Sequence, residues 1–265
     1  MLGISGGDPA FRDDQGAADP AVTAALDAFA AGLGSETEVL AAIARGRLLV
    51  PVVAVLAEQM SSEDQPGPDG AAAAGAGDGA GRGAGIGGGE KASEMAMPTL
   101  IGLDGRRAIP AFTCLDSMRR WQPDARPVPV AARHVWQAAE ADSCAVVIDV
   151  GGPVPFAVEG ARLTALARGE APPPPYADPD VHEVVSTVLA GQLDVAAFEL
   201  RPPETGADRD LEIALTLAPG SAGRDVTELA TGIGNAVMAR LGGRLRRGVA
   251  IWLGGHSGPG GAGPR

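Results

Sequence analysis

Two runs of apolar, β-competent residues, Met97–Leu103 and Arg106–Thr113, flank the pair Asp104-Gly105. This pattern predicts a β-hairpin with a two-residue turn, because glycine accepts the positive φ that a primed turn requires. The turn sets the register as Leu103 opposite Arg106, Ile101 opposite Ala108, and Met97 opposite Phe112. A short helix capped by Thr113 or Asp116 follows and ends near Trp121, since Pro123 stops it.

Helical periodicity precedes this hairpin. Residues 21–32 place Val22, Leu26 and Phe29 on one face, after a cap and first-turn proline at Asp19-Pro20. A second helix over residues 35–44 has capping-box spacing between Ser35 and Glu38. The continuous apolar run Leu48–Leu56 predicts a strand buried on both faces, with an edge or bulge at Pro51 because proline cannot donate to a ladder.

The remaining elements alternate between strands and helices. Before the run APPPPYADPD the pattern predicts an extended segment 126–130, a helix 131–141, a hairpin of strands 143–150 and 153–158, and a helix 161–168. After it the pattern predicts a helix 181–190, strands 193–200 and 211–217, an amphipathic helix 225–241 and a strand 248–253.

These elements indicate an α/β (α+β) protein, with a mixed sheet, β-hairpins and flanking helices, plus a small α+β C-terminal domain. The predicted domains are residues 21–170 and 181–253, joined by a proline-rich linker over 171–180. Residues 1–20 and 254–265 are expected to be disordered. Residues 58–89, rich in glycine and alanine, are expected to form a flexible insert within the first domain.

The net charge of −12 disfavours nucleic-acid binding, since a phosphate-binding surface needs concentrated positive charge. One basic cluster lies where the last helix should end, and its cations complement the helix dipole: Arg240, Arg244, Arg246 and Arg247. The N-terminus lacks the pattern of a secretory signal, and no apolar run is long enough for a membrane span. We therefore expect a soluble, cytoplasmic protein that does not bind membranes, with Cys114 and Cys144 as free thiols.

Four segments resemble the SseB family, whose name derives from enhanced serine sensitivity, and in particular its actinobacterial members. They are LVPV at 49–52, EKASEMAMPTLIGLDGRRAIPAFT at 90–113, WQPDARPVPV at 121–130 and VVIDVGGPVPFAVEGARLTALARGE at 146–170. The resemblance covers about residues 10–170, which correspond to the SseB N-terminal domain. It implies a two-domain cytosolic protein, and it brings no catalytic residue set with it.

Charged residues around the hairpin are the candidate ligand-binding residues. Lys91, the one lysine of the chain, and Glu94 precede the first strand, while Arg106 and Arg107 follow the turn. They could bind a small polar ligand, an anion or an acidic partner. The alternatives are a solvated strand entrance and edge charges that discourage aggregation.

Motifs for catalysis or cofactor binding are weak. Residues 83–88 match G-x-G-x-x-G formally, but no strand precedes them and no helix follows, so we expect no cofactor. His134, His182 and His256 are scattered without metal-ligand spacing, so we expect no metal site. Cys114, beside a strand end, is the most plausible nucleophile by type, although a buried inert cysteine is more common.

The leading hypothesis is a non-enzymatic binding protein for an unknown protein partner or a small metabolite. The alternative is an enzyme, or a metabolite- or amino-acid-responsive regulator, linked to serine metabolism. A metabolite site requires a concave pocket near Lys91, Glu94 and Arg107, whereas a partner-binding module requires an exposed apolar patch. A homodimer is a third option, for which helix 225–241 would expose an apolar stripe.

Overall fold

The computed structural model describes residues 9–56, 93–220 and 225–254. Within those ranges the chain forms helices and strands that confirm the predicted α+β class. The helices are α1 (Pro20–Ala30), α2 (Glu36–Ile43), α3 (Leu115–Trp121), α4 (Ala132–Ala141), α5 (Gly160–Arg168), α6 (Pro179–Leu189) and α7 (Val226–Leu241). The strands are β1 (Arg47–Leu56), β2 (Ser93–Ala96), β3 (Leu100–Ile101), β4 (Arg107–Ala111), β5 (Arg126–Ala131), β6 (Ala145–Ile148), β7 (Phe156–Val158), β8 (Val195–Arg201), β9 (Leu211–Leu217) and β10 (Val249–Gly254).

Two sheets form the first part of the chain. Strands β2, β1 and β5 make an antiparallel sheet in that order, and strands β3, β4, β6 and β7 make a second sheet in which β4 and β6 are parallel. Reciprocal backbone hydrogen bonds between Leu49 and Phe112, at 2.8 and 2.9 Å, join the two sheets. Helices α1, α2, α4 and α5 complete a core in which Phe29, Ile148 and Trp136 are fully buried.

A third sheet, in the order β10-β9-β8, forms the C-terminal part. Strand β10 runs parallel to β9, so α7 is the crossover between them. Apolar residues of α6 and α7 pack with β9, and Val185, Ile213 and Val237 have almost no exposed surface. The apolar stripe of α7 therefore lies in this core.

Local signals at the first helices are confirmed. The side chain of Asp19 accepts hydrogen bonds from the amides of Ala21 and Val22 at the start of α1. At α2, the Ser35 hydroxyl accepts from the Glu38 amide while the Glu38 carboxylate accepts from the Ser35 amide, which is the predicted capping box. Pro51 in β1 lies between the bridge at Leu49 and the start of β2 pairing at Val53.

The predicted two-residue turn at Asp104-Gly105 is wrong. Leu100 pairs with Ala108 and Ile101 pairs with Arg107, so the loop has three residues, Leu103 to Gly105, and the register differs by one. The Gly105 amide donates to the Gly102 carbonyl, and Gly105 has φ of 81°. This is a type I turn followed by a left-handed residue, the usual three-residue solution.

Two further details of this region differ from the prediction. The run Met97–Leu103 is not one strand, because residues 97–99 around Pro98 separate β2, in the first sheet, from β3, in the second. Neither Thr113 nor Asp116 caps α3; its N-cap is Cys114, which makes no side-chain cap hydrogen bond.

The segments predicted to flank the first domain are tied to it. Arg47 binds Asp14 through Nε at 2.6 Å and the Ala17 carbonyl through Nη2 at 2.6 Å, so residues 14–17 are held in place despite their polarity. In the predicted linker, Asp178 caps α6 and is buried. The predicted insert over 58–89 lies outside the described residues.

Across the described ranges, none of the helices has the length and apolar character needed to cross a lipid bilayer.

Candidate functional site

Arg106 directly follows the hairpin loop, and two carboxylates hold its guanidinium. Its Nε atom is 2.6 Å from Asp104 Oδ2, and its Nη1 atom is 2.5 Å from Glu159 Oε2. The hydrogen bond from Arg106 lowers the pKa of the Asp104 carboxyl. Arg106 is therefore already paired, and it joins the loop to the residue that precedes α5.

Arg107, the first residue of β4, is exposed and contacts the connection between α4 and β6. Its Nη2 atom donates to the Asp142 carbonyl at 2.9 Å and lies 3.9 Å from Sγ of Cys144. Ser143, between those two residues, has φ of 51°, which is uncommon outside glycine. This left-handed turn lies between α4 and β6 at the point where Arg107 meets them.

A cleft of about 300 Å³ lies between the arginines, the α4–β6 connection and the first turns of α5. Its polar lining comprises Arg106, Arg107, Glu140, Ser143, Glu159 and Thr164. Its apolar lining includes the buried residues Ala139, Cys144 and Leu163. The volume is at the lower end of the range for small-molecule sites, and the lining offers both charges to a ligand.

The N-terminus of α5 borders this cleft but already has a carboxylate partner. Asp180 of α6 accepts a hydrogen bond from the Ala161 amide at 3.0 Å. Gly160 has φ of 60°, and a Cβ atom there would collide with the Asp180 carboxylate. The helix end is thus neutralised from the C-terminal part of the chain, and Arg107 is the better anchor for an anionic group.

A second cleft, of about 280 Å³, lies beside Arg47, and its charges are satisfied internally. Arg47 donates to Asp14 through Nε and Nη2, at 2.6 and 3.1 Å, and to the Thr113 carbonyl through Nη1 at 2.5 Å. The hydrogen bond from Arg47 holds the pKa of the Asp14 carboxyl below its ordinary value. These groups hold the N-terminal segment in place and leave this cleft the weaker candidate.

The structure brings together two of the four predicted site residues. Arg106 and Arg107 line one cleft. Glu94 lies on β2, opposite Val55 of the first sheet, whereas the arginines begin β4 in the second sheet. Lys91 lies outside the described residues, as do His256 and the glycine motif at 83–88. The contribution of Lys91 and Glu94 stays a prediction.

Asp149 follows β6 and is a buried carboxylate that accepts several hydrogen bonds. It accepts from the Thr113 amide at 2.9 Å and from the Thr113 hydroxyl at 2.6 Å, and it is 2% exposed. Burial raises the pKa of Asp149, although Thr113 and the Ser117 hydroxyl donate to it. These bonds join the carboxyl ends of β4 and β6, so Asp149 holds the two parallel strands in register.

The Cys114 thiol, the predicted nucleophile by type, lies 3.4 Å from the Ser117 hydroxyl and is partly exposed. His182 stacks against Phe198 of β8 at a centroid distance of 4.9 Å, and His134 lies on α4. In the part of the chain that the structure describes, no group of three or more His, Cys, Asp or Glu side chains could hold a metal ion.

The basic cluster near the end of α7 is used largely for internal contacts. Arg247 pairs with Asp210 at 2.9 Å, and the Arg246 guanidinium lies 5.3 Å from the ring centroid of Phe29. Arg240 donates to the Ala236 carbonyl within α7, in keeping with the predicted dipole role. The sequence shows these arginines as one patch, but the fold distributes them among separate partners.

The fourth arginine of that cluster completes a buried network of four charges. Arg162 of α5 pairs with Glu36 of α2, while Arg244 reaches both Glu36 Oε2 at 3.1 Å and Asp178 Oδ2 at 2.6 Å. Burial raises the pKa of Glu36 despite its two arginine partners. Sequence reasoning missed this network, because Glu36 and Arg162 are 126 positions apart and no local pattern links them.

The model of the SseB protein N-terminal domain matches residues 22–165, which is more than half of the chain. Comparison with curated proteins and with solved structures gave no match. The matched range contains every residue that lines the Arg107 cleft, and it contains Glu36 and Arg162 but not Asp178 or Arg244. The chain, which carries this N-terminal domain and a C-terminal α+β part packed against it, therefore belongs to the SseB family.

Proposed function

We propose that this protein acts by binding rather than by chemical conversion, and that its ligand is a small zwitterionic metabolite of the amino-acid class. The observation that carries the proposal is that Arg107 and Glu140, a cation and an anion, line the same cleft beside the α4–β6 connection. A free amino acid carries one carboxylate and one ammonium group, which these two side chains complement.

Arg107 is the expected carboxylate anchor. Within the described part of the chain, both of its hydrogen bonds come from Nη2, so Nη1 keeps its donors for a ligand carboxylate. A hydrogen bond from a guanidinium to a carboxylate is charge-assisted and roughly twice as strong as a neutral one. Arg106 does not compete for the ligand because Asp104 and Glu159 already bind it.

Glu140 is the expected partner for the ammonium group. It is the exposed penultimate residue of α4 and lines the cleft that Arg107 borders. The hydroxyls of Ser143 and Thr164 add polar groups that both donate and accept. The small volume of the cleft favours a ligand with a short side chain. Serine is such a ligand, its hydroxyl can bond to those of Ser143 and Thr164, and the family name also refers to serine.

The test is a calorimetric titration of the purified chain with the twenty amino acids, preceded by a thermal-shift screen. A ligand that binds only the folded state raises the melting temperature by mass action. We expect a shift with one or a few small amino acids, lost in Arg107→Ala and Glu140→Gln. Arg119→Ala, at an exposed arginine on α3, is the matched control and should bind normally. A flat screen at millimolar ligand would contradict the proposal.

A protein partner is the second candidate, and the hairpin edge favours it. Leu103 at the loop tip is fully exposed, and Ile101 on edge strand β3 is 74% exposed. These apolar side chains lie beside Arg106 and Arg107, so the partner would present apolar and acidic residues. Leu103→Glu should abolish capture of such a partner, whereas Leu33→Glu, at another exposed leucine, after α1, should not. Equal capture by both variants would exclude the hairpin edge.

A further inference from the structure

Strand β10 is an edge strand with an apolar sequence. Among the strands that the structure describes it pairs with β9 alone, in the order β10-β9-β8, and its residues 249–254 read VAIWLG. An edge strand presents backbone amides and carbonyls that can pair with another strand. Charged residues, prolines and bulges normally block such pairing. Strand β10 contains no charged residue and no proline.

The other edges that the structure describes in full carry such features. Strand β8 has a register irregularity between Val195 and Ala197 and carries Glu199 and Arg201. Strand β5 contains two prolines, and strands β3 and β7 have only two and three residues. Among these edges, β10 is the one that is both long and unprotected, which is a pattern typical of an interface.

Trp252 adds an apolar surface beside this edge. It is 50% exposed on the sheet face opposite the α6–α7 core, next to Ala214 of β9. The Arg209 guanidinium lies 5.9 Å from its ring centroid, and Arg209 also pairs with Glu212 at 2.7 Å. A half-exposed tryptophan at an open edge gains further burial when a second strand is added.

We propose that β10 pairs with β10 of a second copy of this chain, in antiparallel orientation about a two-fold axis perpendicular to the sheet. That axis keeps α6 and α7 of both copies on one side of a six-stranded sheet. Residues that lie opposite each other in the two strands must then project from the same face of the sheet. A two-fold axis midway between the two copies of Ile251 meets this requirement. This register sets Ala250 opposite Trp252 of the second copy, and the reverse, so that a large side chain meets a small one at each position.

Charge also favours a second copy at this edge. Residues 249–254 carry no charge, so two identical strands meet without like-charge repulsion even though the chain carries a net charge of −12. On the sheet face that carries Trp252, Ala250 of β10 lies beside Glu212 of β9, which lies beside Arg201 of β8. Trp252 likewise lies beside Ala214, which lies beside Glu199. One edge strand and one tryptophan per copy bury less than a standard interface, so the dimer should be weak and concentration-dependent.

The test is sedimentation velocity of the full chain across a wide range of concentrations, with hydrogen exchange at the same concentrations. We expect a reversible dimer and slower exchange of β10 amides as the concentration rises. Trp252→Lys should weaken dimerisation by at least about tenfold, since truncating a central interface tryptophan has such effects. Ala197→Lys, at an exposed alanine on β8, is the matched control and should dimerise normally.

Three outcomes would overturn the proposal. The first is a monomer at every concentration, and the second is a dimer that Trp252→Lys leaves unchanged. The third is protection of β10 amides that needs a different protein, which would make β10 a site for a foreign strand. If Trp252→Lys fails to fold, the concentration dependence of β10 exchange in the unaltered chain still decides the matter.

Discussion

Arg244 and Asp178 meet in the protein interior with Nη2 of the arginine 2.6 Å from Oδ2 of the aspartate. The arginine follows α7, and the aspartate caps α6. The same guanidinium also reaches Glu36 of α2, inside the range of the SseB domain. One side chain from the C-terminal part therefore neutralises a buried carboxylate of the family domain.

Arg244→Ala should lower the free energy of unfolding by about 3 kcal/mol or more, because removal of one partner leaves buried charges uncompensated. Urea denaturation measures this change. Arg240→Ala, at a neighbouring exposed arginine, should stay within about 0.5 kcal/mol of the unaltered protein. Equal effects of the two substitutions would show that the network contributes nothing specific to stability.

Asp14 should stabilise the protein only above its lowered pKa. Its hydrogen bond from Arg47 lowers the folded-state pKa below the ordinary value of 3.8. The contribution is present above that ordinary value and is lost as the pH falls through the lowered pKa. The difference in unfolding free energy between the unaltered protein and Asp14→Asn should therefore shrink in acid. A difference that is independent of pH would refute this assignment.

Asp149 should show the opposite pH dependence. Burial raises its pKa above 3.8, so the folded state binds the proton more tightly than the unfolded state does. The corresponding stability is fully present below 3.8 and is lost as the pH rises through the raised pKa. Relative to Asp149→Asn, the unaltered protein should lose stability over that window. Chemical denaturation at a series of pH values measures how this difference in unfolding free energy changes with pH. A change of the opposite sign would contradict a raised pKa for Asp149.

Gly160→Ala should destabilise the protein more than Gly169→Ala does. The two glycines bracket α5 with φ of 60° and 77°, so alanine meets similar backbone strain of about 1 kcal/mol or more at each. Nothing lies within 4 Å of a Cβ atom at Gly169, whereas one at Gly160 meets the Asp180 carboxylate. The excess loss in thermal or urea unfolding measures that contact, and equal losses would mean that the Asp180 side chain moves aside freely.

Local features were readable from the sequence because their causes lie within a few residues. The capping box of Ser35 and Glu38 and the buried face of α1 depend on spacing alone. The hairpin was placed correctly, but its register was not. Asp104-Gly105 fits both a two-residue and a three-residue loop, and Pro98 interrupts the preceding strand.

The candidate cleft could be predicted only in part. Arg106 and Arg107 stood out as charges beside a turn, but Glu140, Ser143 and Thr164 join them only through the packing of α4 on β4 and of α5 on α4. Likewise, no spacing rule connects Thr113 to Asp149, since the bond depends on the parallel pairing of β4 with β6. Contacts between distant segments require the topology before they can be inferred.

The contact between Gly160 and Asp180 has a consequence for the divergence of this family. The glycine lies inside the matched domain and the aspartate outside it, and the space occupied by the carboxylate is the space that a side chain at position 160 would need. A side chain at position 160 must therefore displace the carboxylate at position 180, which disfavours an acid there in a relative with a larger residue at position 160. We expect the two positions to change together in lineages that have kept this C-terminal part, and to vary independently in those that have exchanged it.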